Sequence, residues 1–218
     1  MAVERKPSVS LYAILARDAR VGVVFRRGPS KQVLLLLWRT DTDQFYGGQW
    51  FKGRIYERRC DLSPSGARLI YFAAKYKAPY ATWTAVSRPP FLTAVAFWPK
   101  GDAWGGGGLF AKEKEILLNH RPAEMKMAEG FQLPKFVVVK PLGDRSGWGE
   151  DDPIHARRLI RDGWKMIQQG NAKTHKLGAP MWITIDPAEI WVKPRPQDGK
   201  TYEIREKITG IHQRNGPW

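Results

Sequence analysis

What most constrains the fold of this chain is a succession of short apolar segments, each cut off by a turn rich in proline and glycine. Before residue 120 the branched and aromatic residues gather over 10–16, 21–25, 32–38, 50–56, 67–73, 82–87 and 92–98. Each stretch is too short for a typical helix and is bounded by Gly, Pro, Asp or Ser, so each is expected to be a β-strand. The stretch 33–37 is apolar at every position, which predicts a strand in mid-core with both faces covered. The expected fold class is mainly β and antiparallel.

Three turns vary one theme: Arg27-Gly28-Pro29-Ser30-Lys31, Ser63-Pro64-Ser65-Gly66 and Trp98-Pro99-Lys100-Gly101-Asp102. Proline presets φ at one turn position and glycine accepts positive φ at another, so each is expected to reverse the chain tightly. Gly28, Gly66 and Gly101 lie 38 and 35 residues apart, an imperfect repeat.

The segment Asp61-Leu62-Ser63-Pro64-Ser65-Gly66-Ala67-Arg68-Leu69-Ile70-Tyr71-Phe72 resembles the inner turn of WD-repeat and related β-propeller blades, and 97–102 does so more faintly. As a whole the chain resembles an uncharacterised bacterial family. The blade resemblance implies propeller-like strand–turn repeats and a macromolecule-binding role. The spacing is below the roughly 40–45 residues of a full WD blade, and neither Gly-His nor Trp-Asp occurs. Three units are also fewer than a closed ring needs. A partial propeller, a fourth unit built from the C-terminal half, and a sandwich all remain open.

The rest of the chain reads as a β region over 1–118, a long connection over 119–150, and a helix with further strands over 151–218. The four glycines at 105–108 lack the flanking residues of a phosphate-binding loop, and are expected to form a turn, a bulge or a close backbone approach. A strand is expected at 114–118 and another at 136–140, inside the connection. Asp151 and Asp152 before Pro153, with Gly170 as a stop, predict one amphipathic helix over 153–169. Gly163 would then sit inside it, at a point of close packing. Strands are expected at 181–185, 189–192 and 201–208. Asn215-Gly216 is a hairpin signal with no return strand.

Charge directs the functional reading. The chain carries 36 basic and 21 acidic residues, a net +15 spread along its whole length, which favours polyanionic or acidic partners. On the predicted helix Arg157, Arg158, Arg161 and Lys165 cluster on one side, a stripe that could follow phosphates. Arg26, Arg27 and Lys31 flank the first turn and are further candidates, as are Arg54, Arg58 and Arg59. Exposed aromatics beside them would allow base stacking, and the ten Trp are spread along the chain as sheet packing requires.

No cofactor, metal site or catalytic group is expected. His120, His155, His175 and His212 show no ligand spacing. Glu150, Asp151, Asp152 and His155 read as helix-start capping. Cys60, the one cysteine, cannot make an internal disulfide, fits a reducing compartment, and reads as a small apolar residue. With no signal-like segment and no membrane span, the expectation is a cytoplasmic, non-enzymatic module binding an unknown protein partner. A nucleic-acid binder using the basic helix is the alternative, and a small basic nuclease or toxin the second alternative.

Overall fold

The computed structural model describes residues 9–29, 31–168, 171–175, 182–186, 190–194 and 201–205, with side chains as far as Trp164. The chain divides into two compact units, Met1–Arg158 and Leu159–Trp218.

The first unit opens with four antiparallel strands paired in chain order: β1 (Ser10–Leu15), β2 (Val21–Arg27), β3 (Gln32–Arg39) and β4 (Gln44–Lys52). A second antiparallel sheet follows, from β5 (Arg54–Ile55), β6 (Asp61–Leu62), β7 (Leu69–Ala74), β8 (Thr82–Ser87) and β9 (Ala94–Lys100). Its order is β5-β7-β8-β9, with β6 also paired to β7. The third sheet joins β10 (Gly108–Lys112) and β11 (Glu115–Leu118) antiparallel, then adds β12 (Val138–Pro141) parallel to β11. A helix, α1 (Asp152–Arg161), leads out of the unit.

Burial shows how the sheets are layered. Every residue of β7 and β8 is buried, so the second sheet is covered on both faces. One face meets Ile14, Val23, Phe25, Val33 and Leu35 of the first sheet through Leu69, Tyr71, Ala73, Trp83 and Ala85. On the other side Ile70, Val86, Ala96 and Trp98 meet Phe110, Ile116 and Leu118 of the third sheet. Ile154 of α1 packs with Leu109 and Leu142. The mainly β expectation holds, and within the first unit it takes the form of three stacked sheets.

The turn at Ser63–Gly66 forms as its residues require. Gly66 has φ +77, its N–H donates to the Ser63 carbonyl at 2.8 Å, and an added Cβ would meet Val21 at 2.2 Å.

Several expectations are corrected. The run 33–37 is covered on one face: Val33 and Leu35 are buried, while Leu34, Leu36 and Leu37 are half-buried. Strand 50–56 is split, because Gly53 at φ +154 separates β4 from β5. The strand placed at 136–140 begins two residues later, at Val138. Gly101 does not adopt positive φ; β9 instead runs on through Pro99 and Lys100, which the outer position of β9 in its sheet permits.

The helix placed over 153–169 ends at Arg161. Gly163 has φ +84, its N–H donates to the Ile160 carbonyl, and the Trp164 N–H reaches the Leu159 carbonyl, so this glycine ends the helix rather than packing inside it. The chain then enters β13 (Lys165–Gln168). Beyond it lie β14 (Asn171–His175), β15 (Trp182–Asp186), β16 (Ile190–Pro194) and β17 (Thr201–Arg205), paired antiparallel as β13-β16-β17 and β14-β15. Gly170, residues 206–208 and Asn215-Gly216 lie outside the described residues.

Candidate docking surface

Strand alternation gives the first sheet two faces. The inward face supplies Tyr12, Ile14, Val23, Phe25, Val33, Leu35 and Phe51 to the core. The outward face would ordinarily be polar in an antiparallel sheet with one side in water. Here it is apolar. Register aligns Leu11, Arg26, Leu34 and Trp50 in one row across the four strands. The next outward row is Ala13, Val24, Leu36 and Gly47, and the third is Leu15, Gly22, Trp38 and Phe45. Leu11 is 69% exposed, Leu15 and Phe45 are each 53%, and Trp50 is 48%. Several large apolar side chains exposed on one sheet face make it a candidate docking surface.

The largest side chains stand at the β4 side of the face: Trp50 in the first row, and in the third the stacked pair Trp38–Phe45, whose centroids are 5.5 Å apart. The middle row ends at Gly47, where an added Cβ would have no heavy atom within 4 Å, and its Val24 is buried among its neighbours. The first and third rows are four residues apart along β1 and β3, about 13 Å at strand rise.

The two ends of the face differ in charge. At the Trp50 end the Arg26 guanidinium lies 5.7 Å from the indole centroid and donates to the Gly28 carbonyl at 2.7 Å. Lys31 and Lys52 are exposed at the same end. At the other end the Trp38 indole N–H donates to Asp43 at 2.8 Å, and Arg39 is paired with Asp41 at 3.0 Å.

The residues singled out from sequence are distributed as follows. Arg26 lies on this surface, and Lys31 stands at its rim. Arg27 points the other way: it pairs with Glu57 at 2.5 Å and donates to the Ile55 carbonyl. The helix stripe does not form a single solvated face. Arg158 is buried, donating to the Cys60 carbonyl and the Tyr12 hydroxyl. Arg157 is exposed and donates to the Leu142 carbonyl. Arg161 contacts Asp162 at 2.8 Å, and Lys165 belongs to a strand. The alignment of these four cations assumed one uninterrupted helix, and Gly163 ends it before Lys165. Elsewhere Arg54 lies over the Tyr56 ring at 4.6 Å, and Arg59 is buried.

A second constellation is architectural. The four glycines at 105–108 are buried, and the first three have φ of +72, +83 and +82. A Cβ at Gly105 would meet the Gly147 carbonyl oxygen at 2.5 Å, and one at Gly106 would meet the Phe72 ring at 2.3 Å. This is the close backbone approach expected of the run. His120 Nδ1 must donate to the Glu124 carbonyl, 3.1 Å away, so Nε2 accepts from the Thr84 hydroxyl at 2.8 Å. Thr84 Oγ1 in turn accepts the Gly107 N–H at 2.8 Å. That donor order would suit a nucleophile and base. Both side chains are wholly buried, however, and burial holds His120 down to about 4, which leaves it a weak base at neutral pH. The pair fixes the glycine run in place. Lys100, also buried, is neutralised by Asp102 and Glu124, each at 2.9 Å.

Cys60 is fully buried, and burial raises its thiol pKa, consistent with its reading as an apolar filler. Among the described residues no group of three His, Cys, Asp or Glu could hold a metal ion, and no helix is long and apolar enough to cross a membrane. The outward sheet face was missed in the sequence, although apolar residues at both parities of strands 10–16 and 33–37 signalled it. No family model, curated protein or solved structure matches the chain.

Proposed function

We propose that this chain is a non-enzymatic protein-binding module whose outward first-sheet face is the docking surface. One observation carries the reading: three register-aligned rows, apolar but for Arg26, leave Leu11, Leu15, Phe45 and Trp50 facing solvent on a sheet whose other face is packed. Two consecutive antiparallel meanders stacked face to face also support the propeller-like arrangement that the Ser-Pro-x-Gly turn suggests. In such a stack the outward face is where a further layer would pack.

The test is affinity capture with the wild-type chain and with a Leu15→Lys/Phe45→Lys variant, then mass-spectrometric identification of retained proteins and reconstitution of the purified pair. The reading predicts a partner whose affinity falls at least about 100-fold in the variant, the scale of losing central apolar anchors. Equal affinity for both chains would refute it.

A second reading, nucleic-acid binding, is favoured by one arrangement: Arg26 over the exposed Trp50, with Lys31 and Lys52 beside it. It requires affinity for single-stranded RNA that falls steeply with salt and with Arg26→Glu plus Lys52→Glu. RNA binding indifferent to both would remove it.

A further inference from the structure

Resting on the docking reading above, we infer that the partner protein adds an extended strand of its own to the outer edge of β1. The pairing of β1 with β2 shows which main-chain groups are left over. Ala16 donates its N–H to the carbonyl of Val21, at 2.9 Å, across the hairpin. Bonded pairs alternate along an antiparallel ladder, so Ile14–Val23 and Tyr12–Phe25 are bonded pairs as well. The N–H and C=O groups of Leu11, Ala13 and Leu15 therefore point away from β2. The next ladder has the matching phase: Thr40 donates to the Arg20 carbonyl at 3.0 Å, which turns Gly22, Val24 and Arg26 toward β3. Among the described residues no main-chain bond reaches Leu11, Ala13 or Leu15 from beyond the sheet, and all three are exposed.

The other outer strands of the first unit are blunted. Gln49 of β4 donates its N–H to the Pro90 carbonyl at 3.1 Å, and Phe97 of β9 accepts the Ala128 N–H at 2.9 Å. Phe110 of β10 donates to the Asp61 carboxylate at 2.8 Å, and β12 carries Lys140 and Pro141. Lysine also stands in β4, β9 and β10, as Lys52, Lys100 and Lys112. Charge and proline are what keep a sheet edge from pairing, and β1 contains neither.

The edge selects its occupant. Its groups recur at every second residue, about 6.8 Å apart, a repeat that an extended chain matches. A helix cannot answer it, because its own N–H and C=O groups are used internally. Residues of the added strand that bond to Leu11, Ala13 and Leu15 set their side chains on the outward face, where they lengthen the three rows. Those positions are apolar in the partner segment, which alternates accordingly. The net +15 favours carboxylates at its ends and disfavours a second copy of the chain, because two such bodies repel.

The probe is a capped synthetic peptide alternating valine and threonine, with glutamate at each end, titrated into the full chain and followed by proton–nitrogen spectra. It should bind with a Kd of roughly 0.1–1 mM. At about ten times Kd it should slow exchange of the Leu11, Ala13 and Leu15 amides about tenfold. Lysine in place of the glutamates should weaken it at least about threefold. N-methylation of its valines, whose N–H groups face β1, should abolish binding, while N-methylation of its threonines should not. Ala13→Pro removes an N–H that β2 does not use, so binding should be lost with Tm little changed. The N-methylated pair leaves the protein untouched and is the independent test.

No binding by the glutamate peptide, equal binding by the lysine one, equal effects of the two N-methylations, or binding untouched by Ala13→Pro would overturn the inference. Slow exchange of the three amides in the free chain would do the same, since the edge is then already paired. So would a wild-type dimer that Ala13→Pro dissociates, which favours a second copy. If the reconstituted partner still requires Leu15 and Phe45 in any of these cases, the docking reading survives and the strand assignment alone fails.

Discussion

Arg59 Nε donates to Asp151 Oδ1 at 2.8 Å, joining the 3-10 turn between β5 and β6 to the residue that precedes α1. The same guanidinium donates from Nη1 to the carbonyls of Ala103 and Gly105, both at 2.6 Å, and lies over the Tyr56 and Phe72 rings. One buried cation thus binds the glycine run, the helix start and the central sheet. Arg59→Ala is expected to lower unfolding free energy by about 3 kcal/mol, the low end for breaking a buried pair because Asp151 keeps some solvent contact. Asp151→Asn should cost less, about 1–2 kcal/mol, since it leaves a neutral acceptor. Urea denaturation at constant m-value measures both.

The glycine run makes a sharper prediction. Gly106→Ala places a Cβ 2.3 Å from the Phe72 ring at φ +83, so at least about 2 kcal/mol should be lost. Gly101→Ala is the matched control, with no heavy atom within 4 Å and no positive φ, and should change stability by under about 1 kcal/mol. Thermal unfolding of the two side by side distinguishes a required glycine from an incidental one.

Acid should weaken the fold through His120. Burial depresses its folded pKa to about 4, against about 6.5 unfolded. Between these values the unfolded chain binds more protons, so stability is complete above pH 6.5 and falls as pH drops toward 4, by about 3 kcal/mol in all. In His120→Gln that part of the pH dependence should vanish, whatever the variant's absolute stability. An unchanged slope would mean that the imidazole is not the group responsible.

The docking face should be separable from the core by stability alone. Phe25→Ala, on the inward face, should cost about 3–5 kcal/mol. Leu15→Lys plus Phe45→Lys, on the outward face, should cost only about 1–2 kcal/mol, mostly from loss of the Trp38–Phe45 stack, because both side chains already meet solvent. Chemical denaturation of the two variants provides the comparison.

The sequence made some of this legible and hid the rest for physical reasons. The Ser63–Gly66 turn could be read directly because positive φ at Gly66 is a local requirement with a residue-level signature. Strand positions were likewise set by local punctuation. The helix was overextended because the apolar spacing through Ile167 continues past Gly163, and only the backbone reveals that this glycine ends it. Arg158 read as a surface cation because nothing local announces a bond to Cys60, distant in sequence. The outward face was hardest to see. Residues 33–37 declare that both faces are apolar, but whether the second is covered depends on how many sheets stack, which is a property of the whole unit.

The central claim rests on two indole groups. In a proton–nitrogen spectrum of the chain titrated with its reconstituted partner, the Trp50 and Trp38 indole signals should shift together. Trp104 and Trp148, exposed elsewhere on the same unit, should stay fixed. Movement of Trp104 or Trp148 with Trp50 and Trp38 unchanged would place the partner on another surface and contradict the account.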